Sequence, residues 1–200
     1  MNNPNVMVNR RAGIDYYEYS YDTTIIDVGL AQMGGQVLSH IDIVGRYDVK
    51  LFIEIGTYMG GTLVYMIPQL ELNPNFKYLG FEIIPSAVLQ RVKDYVDRTP
   101  RCKIIYDDVF TAQNVKLIAN RIAETKGCVY IFCDGGNKPK ELSIFSGLLR
   151  AGDIISVHDY TVEQTGEIRD TDLNKLGDGF SPVDGDWRKD ILWLPTYRKK

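Results

Sequence analysis

The residues best suited to chemistry stand directly after short apolar runs of the sequence. The first run is followed by Glu54-Ile55-Gly56-Thr57-Tyr58-Met59-Gly60-Gly61-Thr62, where glycines let the backbone turn sharply and approach a ligand closely. The GxxxGG spacing is neither GxGxxG nor GxxxxGK[ST], and the lysine that binds β- and γ-phosphates is missing. Glu54 would repel a pyrophosphate but attract an ammonium or sulfonium. The stretch disfavours a nucleotide triphosphatase; an ordinary strand-to-helix turn is the alternative interpretation.

Two further acids follow the next two apolar runs. Glu82 stands where a carboxylate accepts hydrogen bonds from a ribose diol in many nucleotide-binding proteins. Asp108 can accept a hydrogen bond from an exocyclic adenine amine, and Val109 beside it offers a backbone or apolar contact. A solvated strand-end glutamate and a capping aspartate before Thr111 are the alternatives.

The last two runs end in Asp134 and in the pair His158-Asp159. Because the carboxyl ends of parallel strands meet at one edge of a sheet, we expect these three side chains to converge. Together they could hold a divalent cation with positions left open for water. They could equally act as a general acid and base without a metal, and a structural hydrogen bond is the alternative role for the histidine.

The elements that must position these residues form one repeating pattern along the chain. Short apolar runs, typical of strands buried on both faces, alternate with amphipathic helical stretches. The helices are expected after Pro85 in a first turn, after the N-cap Thr111 with Gly127 as the stop, and after Asn137 with Gly152 as the stop. The sequence therefore predicts an α/β fold, a doubly wound and mostly parallel sheet with helices on both faces. The five runs are Leu51–Ile53, Tyr78–Phe81, Ile104–Tyr106, Val129–Phe132 and Ile154–Val157.

The two ends differ from this core. Residues 1–24 are rich in tyrosine with little periodicity, residues 25–45 predict an imperfect helix, and Ile191–Leu194 predicts a last strand. Residues 161–186 are polar and predict a mobile segment with one helical stretch. We expect a single domain, residues 1–200, in which an N-terminal cover region (1–45) and a C-terminal segment (161–200) flank a cofactor-binding core (46–160).

Composition narrows the function classes. The chain has 200 residues and a net charge of -3 at neutral pH, which counts against nucleic acid as the partner. It contains no apolar run long enough for a membrane helix, and its start does not resemble a secretory signal. Three cysteines without a CxxC pair predict reduced thiols in a cytoplasmic protein and no zinc site.

Taken together, the motifs resemble class I S-adenosylmethionine-dependent methyltransferases over roughly residues 36–160. The glycine-rich stretch resembles that family's E/DxGxxxGxS/T motif. Cys133–Gly136 and Leu148–Tyr160 resemble "DGxH … LLxxGGxIxxHDY" of the small-molecule and sugar O-methyltransferase branch. That branch includes the group named after cephalosporin hydroxylase and rhamnosyl O-methyltransferase.

The resemblance implies a Rossmann-like fold and methyl transfer to a hydroxyl of a small-molecule or glycan acceptor. It implies that Asp134 lies near the transferred methyl group and that acids at the Asp134 and Asp159 positions bind Mg²⁺ in relatives that use a metal. The candidate catalytic residues are Asp134, His158 and Asp159, and the same three are the candidate metal ligands. His158 is the expected base if no metal binds. The implied cofactor-binding residues, which hold S-adenosylmethionine, are Glu54, Gly56, Thr57, Tyr58, Gly60, Thr62, Glu82, Asp108, Val109 and Asp134.

Two departures keep other interpretations open. Tyr160 stands where catechol-type enzymes carry an amide ligand, and Gly136-Asn137 stands where the sugar branch often has Asp-His. Lys138 is a substitute base, although a lysine at a helix start is usually solvated. The alternatives are a dinucleotide or nucleotide-sugar enzyme, a nucleic-acid methyltransferase, and a non-catalytic or differently specialised Rossmann-like nucleotide-binding protein. We expect no nucleic-acid or membrane partner; a homo-oligomer stays open.

Overall fold

The structure, a computed structural model, describes residues 5–11, 14–21, 24–28, 34–160, 166–183 and 194–200. Its strands are β1 (Asn5–Arg11), β2 (Ile14–Tyr21), β3 (Thr24–Val28), β4 (Val49–Ile55), β5 (Lys77–Phe81), β6 (Cys102–Ile105), β7 (Cys128–Cys133), β8 (Ile154–Val157), β9 (Phe180–Pro182) and β10 (Thr196–Lys199). Its helices are α1 (Gly34–Arg46), α2 (Gly61–Leu72), α3 (Gln90–Arg98), α4 (Ala112–Glu124), α5 (Lys138–Ser146) and α6 (Asp170–Leu173), and α6 continues into a 3₁₀ segment, Asn174–Gly179.

The central sheet has the strand order β6-β5-β4-β7-β8-β10-β9. The strands from β6 to β8 are parallel, whereas β10 is antiparallel to both β8 and β9. Four of the five predicted apolar runs lie within one of the parallel strands, and the fifth, Ile104–Tyr106, extends one residue beyond the end of β6. The prediction of a mostly parallel sheet is therefore confirmed.

Helices cover both faces of this sheet. Successive residues of a strand point to opposite faces, and Phe52 and Ile53 of β4 belong to two different apolar clusters. The cluster around Phe52 contains residues of α1, α2 and α3, such as Met66. The cluster around Ile53 contains residues of α4, α5 and α6, such as Ile118 and Phe145. The doubly wound arrangement follows from this division.

The N-caps Thr111 and Asn137 follow the sequence signals, whereas the signals at Pro85, Gly127 and Gly152 do not; α4, for example, already ends at Glu124, before Gly127. The Thr111 hydroxyl accepts a hydrogen bond from the Asn114 amide at 3.2 Å, as an N-cap does. Pro85 was expected in the first turn of a helix, but α3 begins only at Gln90, because the Glu82 carboxylate holds the preceding loop through the Ile84 amide. Similarly, α5 ends at Ser146 rather than at Gly152, which adopts a φ of +91° in the turn before β8.

The N-terminal region differs most from its prediction. Strands β1, β2 and β3 form a separate antiparallel sheet in residues 1–24 and just beyond, where little periodicity was seen. The helix predicted over residues 25–45 is wrong for its first part, since Thr24–Val28 is a strand of mostly β-branched residues.

The predicted last strand, Ile191–Leu194, falls largely outside the described residues. Residues 191–193 of the predicted last strand lie outside them, and the observed last strand is Thr196–Lys199. It enters the sheet between β8 and β9. The helical stretch expected within residues 161–186 corresponds to α6 and its 3₁₀ extension.

All three cysteines are free. Burial raises the pKa of the Cys102 and Cys128 thiols to about 12 and also raises the pKa of Cys133, so all three are held as neutral thiols. Over the described part of the chain, no helix has both the length and the apolar character needed to cross a membrane.

Candidate active site

A crevice opens at the carboxyl ends of the parallel strands, where the strand order reverses. Strand β4 pairs with β5 on one side and with β7 on the other, so the connections leave in opposite directions. The cavity there has a volume of about 690 Å³, within the usual range for small-molecule sites. Its lining residues are Ile55, Gly56, Tyr58, Phe81, Glu82, Ile83, Asp107, Asp108, Val109, Phe110, Asp134, Gly135, Gly136, Asn137, Glu141, His158 and Asp159.

Gly56 forms the floor of this cavity between the two strand ends. Its φ of +85° is left-handed, and a Cβ atom built there would lie 2.3 Å from the Asp134 carbonyl oxygen. The Asp134 amide in turn donates to the Ile55 carbonyl at 2.9 Å. Only glycine allows the two backbones to approach this closely.

Two side-chain-bearing residues of the cavity also adopt left-handed backbone conformations. Tyr58 has a φ of +48° and Asp159 a φ of +59°. Such a conformation costs a residue with a Cβ atom about 1–2 kcal/mol. Because strain of this kind persists where the surrounding structure imposes it, both positions are set by the site rather than by local preference.

Glu82 lies at the end of the cavity opposite Asp134 and Asp159. Its two carboxylate oxygens accept hydrogen bonds from the amides of Tyr58, at 2.7 Å, and Ile84, at 2.9 Å. A carboxylate offers about four acceptor positions, so each oxygen retains a lone pair for a hydroxyl donor in the cavity. The predicted ribose-binding acid thus lines the cavity and also fixes the loop that follows β4.

Asp108 and Val109 also line the cavity, next to two residues that the sequence analysis did not select. The Asp108 carboxylate accepts a hydrogen bond from the Phe110 amide at 2.8 Å. Asp107 accepts from the Asn114 side chain at 2.9 Å and thereby ties this loop to α4. Their adjacency to Asp108 was the available signal for Asp107 and Phe110.

Glu54 lies behind the cavity rather than in it. Its carboxyl is buried and accepts a hydrogen bond from the Tyr78 hydroxyl, and Thr62 is a second hydrogen-bonding partner. In this structure Glu54 is hydrogen-bonded to Tyr78 and is not among the residues that line the cavity. Thr57, Gly60 and Thr62 likewise shape the loop without lining the cavity; Thr57, for example, donates to the Phe81 carbonyl at 3.4 Å.

Burial raises the pKa of Glu54 to about 8, against hydrogen bonds from Tyr78 and Thr62 that lower it. The folded protein retains a proton there that the unfolded chain releases near pH 4.5, so the free energy of unfolding falls as pH rises from 4.5 to about 8. Glu54→Gln removes this titration. We expect the difference in Tm between Glu54→Gln and the wild type to increase, in favour of the variant, by at least about 5 °C as pH rises from 4.5 to about 8. Thermal unfolding at pH 5, 6.5 and 8 measures the difference, with the exposed Glu124→Gln as the control; parallel curves for Glu54→Gln and the wild type would contradict it.

Asp134, His158 and Asp159 converge, as the sequence analysis expected. One potential ligand atom from each lies within 4.8 Å of the others. The Nδ1 atom of His158 lies 3.0 Å from Asp134 Oδ1 and 3.1 Å from Asp159 Oδ1. Its Nε2 atom lies 3.1 Å from Gln36 Oε1, on the first turns of α1. Both ring nitrogens therefore face oxygen acceptors.

This geometry changes the role expected for His158. Burial alone would lower its pKa, but the hydrogen bonds and charges of Asp134 and Asp159 outweigh burial and raise the pKa to about 9. The raised pKa favours the imidazolium, in which both ring nitrogens are donors. The same hydrogen bond from His158, together with Lys138, lowers the pKa of Asp159 despite burial.

Lys138 at the start of α5 was expected to be solvated, but it is buried. Its ammonium lies 2.8 Å from Asp159 Oδ2, 2.9 Å from Glu167 Oε2 and 3.7 Å from Asp134 Oδ1. It also donates to the Gly135 carbonyl at 3.0 Å. Burial would lower the pKa of this amine, but its hydrogen bond to Asp159 and the neighbouring acids raise it, so the ammonium stays charged.

Glu141 supports the loop that carries Asp134, and sequence reasoning missed it. Its carboxylate oxygens accept hydrogen bonds from the amides of Gly135 and Asn137, both at 3.1 Å. Burial raises its pKa to about 7 against these bonds. The available signal was an acid in the first turn after Asn137, which itself caps α5 through the Lys140 amide.

The strand order, the cavity at its reversal and the acids at the strand ends define a Rossmann-like protein with a small-molecule site at the switch point of its sheet. The match to a family extends over residues 17–185, and the chain belongs to that family, described as Rhamnosyl O-methyltransferase/CmcI. Membership makes the chain an S-adenosylmethionine-dependent O-methyltransferase. No curated protein matches the chain.

Solved structures agree with this fold. An apo structure of CmcI gives a TM-score of 0.68 at 14% identity, covering 96% of this chain and 80% of that chain. A magnesium and S-adenosylmethionine complex of CmcI gives 0.67 at 14% identity, covering 96% and 81%. A complex of CmcI with S-adenosylhomocysteine gives 0.61 at 13% identity, covering 96% and 87%. At these identities the likeness shows the fold.

Proposed function

We propose that the chain methylates a hydroxyl group of a small molecule or sugar at the end of the cavity formed by Asp134, His158 and Asp159. S-adenosylmethionine supplies a methyl group on a sulfonium; the carbon–sulfur bond breaks as the carbon–oxygen bond forms, and the hydroxyl loses its proton. The observation that carries the proposal is one cavity that joins Glu82 and Asp108 at one end to Asp134 and Asp159 at the other. In such a reaction the protein mainly positions the two partners.

The cofactor would lie across the ends of β4, β5 and β6. In this proposal Glu82 binds the ribose hydroxyls, and Asp108 with Val109 binds the adenine. The turn at Gly56, with Tyr58 beside it, holds the methionine part. Four residues outside the cavity lining are proposed to support this turn without contacting the cofactor, whereas the sequence predicts that they bind it directly. They are Glu54, Thr57, Gly60 and Thr62.

The donor set at the other end fits Mg²⁺ through its two carboxylates. Asp134 and Asp159 offer the oxygen ligands that Mg²⁺ prefers, whereas His158 is engaged on both nitrogens and acts as a hydrogen-bond donor. When bound, Mg²⁺ would orient the acceptor hydroxyl and lower its pKa. CmcI has been solved with magnesium and S-adenosylmethionine, which supports the proposal.

Asp134 is the proposed acceptor of the hydroxyl proton. It lies in the cavity beside the Gly56 turn, where the methyl group would be presented. Asp159 is less suited, because both of its oxygens are engaged: Oδ1 lies 3.1 Å from His158 and Oδ2 lies 2.8 Å from Lys138. His158 and Lys138 would instead offset the negative charge that develops on the acceptor oxygen.

The chain ends are proposed to cover the acceptor within the single domain of residues 1–200. Gln36 from the N-terminal cover region contacts His158, and Glu167 from the C-terminal segment contacts Lys138. These contacts support a role for both segments at the acceptor end. The three free thiols support a cytoplasmic location, and the net charge of -3 supports an acceptor other than nucleic acid.

Calorimetric titration with S-adenosylhomocysteine, with and without Mg²⁺, tests the cofactor site. We expect micromolar binding to the wild type and about 10- to 100-fold weaker binding to Glu82→Ala, since hydrogen bonds to a carboxylate are each worth about 1.5–3 kcal/mol. Glu71→Ala, an exposed change at the end of α2, is the control and should bind like the wild type. Absence of binding under every condition, or equal binding by Glu82→Ala, would refute the proposed site.

A further inference from the structure

The acid cluster already contains a buried cation. Lys138 is 4% exposed, and its ammonium has three hydrogens to donate. Three acceptors take them: Asp159 Oδ2 at 2.8 Å, Glu167 Oε2 at 2.9 Å and the Gly135 carbonyl at 3.0 Å. The ammonium is thus fully hydrogen-bonded inside the cluster rather than extended into solvent.

The two carboxylates nearest to it have few free positions for another cation. Asp159 Oδ1 contacts His158 and its Oδ2 contacts Lys138, so both of its oxygens are engaged. Asp134 Oδ1 contacts His158 at 3.0 Å and lies 3.7 Å from the Lys138 ammonium. Mg²⁺ requires oxygen ligands at about 2.0–2.1 Å in near-octahedral geometry, which these engaged oxygens do not provide without rearrangement.

We propose that Lys138 is an internal cation that occupies the acid cluster, so that a divalent metal binds Asp134 and Asp159 only by displacing its ammonium. Lys138 is in this sense a specificity-determining residue: it sets how strongly the reaction depends on metal. Without metal, its ammonium bridges Asp159 and Glu167; with metal bound to Asp159, the ammonium would keep Glu167 as its partner. The inference rests on the metal site of the proposed function and adds its regulation.

The reason for the competition is electrostatic. An ammonium and a divalent ion that share one carboxylate repel each other across a few ångströms, and the repulsion is strong in a partly dehydrated site. Removing the ammonium should therefore strengthen metal binding at the two carboxylates. The gain in metal affinity is expected to be at least about tenfold, a change that is readily measured.

Titration of the full chain with Mn²⁺, followed by electron paramagnetic resonance of the free ion, tests this without any methyl transfer. Lys138→Met should bind Mn²⁺ at least about tenfold more tightly than the wild type. Lys138→Arg keeps the charge and should bind as weakly as the wild type. Lys116→Met, an equal change of charge at an exposed position of α4, should have no effect.

Each other outcome overturns the proposal. Equal or weaker Mn²⁺ binding by Lys138→Met would show that the ammonium does not compete, and so would binding by neither protein. Lys138→Gln repeats the test if the methionine variant does not fold, as judged by circular dichroism. Because S-adenosylhomocysteine binding is measured separately at the Glu82 end, failure of the competition is distinguishable from failure of the proposed cofactor site.

Discussion

Replacing Gly56 by alanine is expected to lower the free energy of unfolding by about 2–5 kcal/mol and to abolish binding of S-adenosylhomocysteine. A residue with a Cβ atom pays about 1–2 kcal/mol for the left-handed conformation that Gly56 adopts. The added methyl group would also lie 2.3 Å from the Asp134 carbonyl oxygen, and overpacking of this kind costs about 1–3 kcal/mol. Relief requires the β4 and β7 ends to separate, which removes the cavity floor.

Gly136→Ala is the matched control for this prediction. It places the same methyl group on the loop after β7, but no atom lies within 4 Å of a Cβ built there. We expect the free energy of unfolding of Gly136→Ala, measured in urea, to lie within about 1 kcal/mol of that of the wild type. Gly136 does not adopt a positive φ, so alanine is not strained at this position. If Gly56→Ala and Gly136→Ala were equally stable, the close approach of the two strand ends would not be what Gly56 provides.

Replacing Asp134 by asparagine is expected to lower kcat by about 10²–10⁴-fold while S-adenosylhomocysteine binding changes little. The amide oxygen can still accept from His158, so the local shape is kept. The charge that receives the hydroxyl proton and binds a metal is lost. Transfer of a radiolabelled methyl group to a panel of phenols and sugars measures the rate, and calorimetry measures the binding.

The control for this change is Asp97→Asn, the same chemical substitution on the exposed side of α3. It should leave both the rate and the binding unchanged. A rate within threefold of the wild type for Asp134→Asn would remove Asp134 from the chemistry and leave Asp159 as the remaining acid. Parallel loss of binding and rate would instead place Asp134 in cofactor binding alone.

The central sheet was predictable because strands buried on both faces have a sequence pattern of their own. Runs such as Val129–Phe132 are apolar without alternation, and parallel strands put their carboxyl ends at one edge. On this basis the sequence alone predicts that Glu82, Asp108 and Asp134 lie at one edge of the sheet. This prediction depends on topology alone and needs no knowledge of side-chain direction.

The roles of individual site residues were less predictable, because they depend on partners from distant parts of the chain. The residues next to Glu54 in the sequence do not indicate that Tyr78, on the neighbouring strand, donates a hydrogen bond to its carboxyl. His158 was the expected base, but Gln36 and two aspartates turn it into a donor. Lys138 was expected in water for the same reason: Glu167, which holds it, is far along the chain and carried no signal.

The two ends of the cavity differ in how far apart along the chain their contacting residues lie. At the cofactor end, the hydrogen bond from the Tyr58 amide to Glu82 spans 24 residues of chain. At the acceptor end, the contact between Gln36 and His158 spans 122 residues and forms only after a long loop closes. Folding should therefore complete this contact late. Exchange of the segment that carries Gln36 would alter the acceptor end and leave the hydrogen bonds of Glu82 intact.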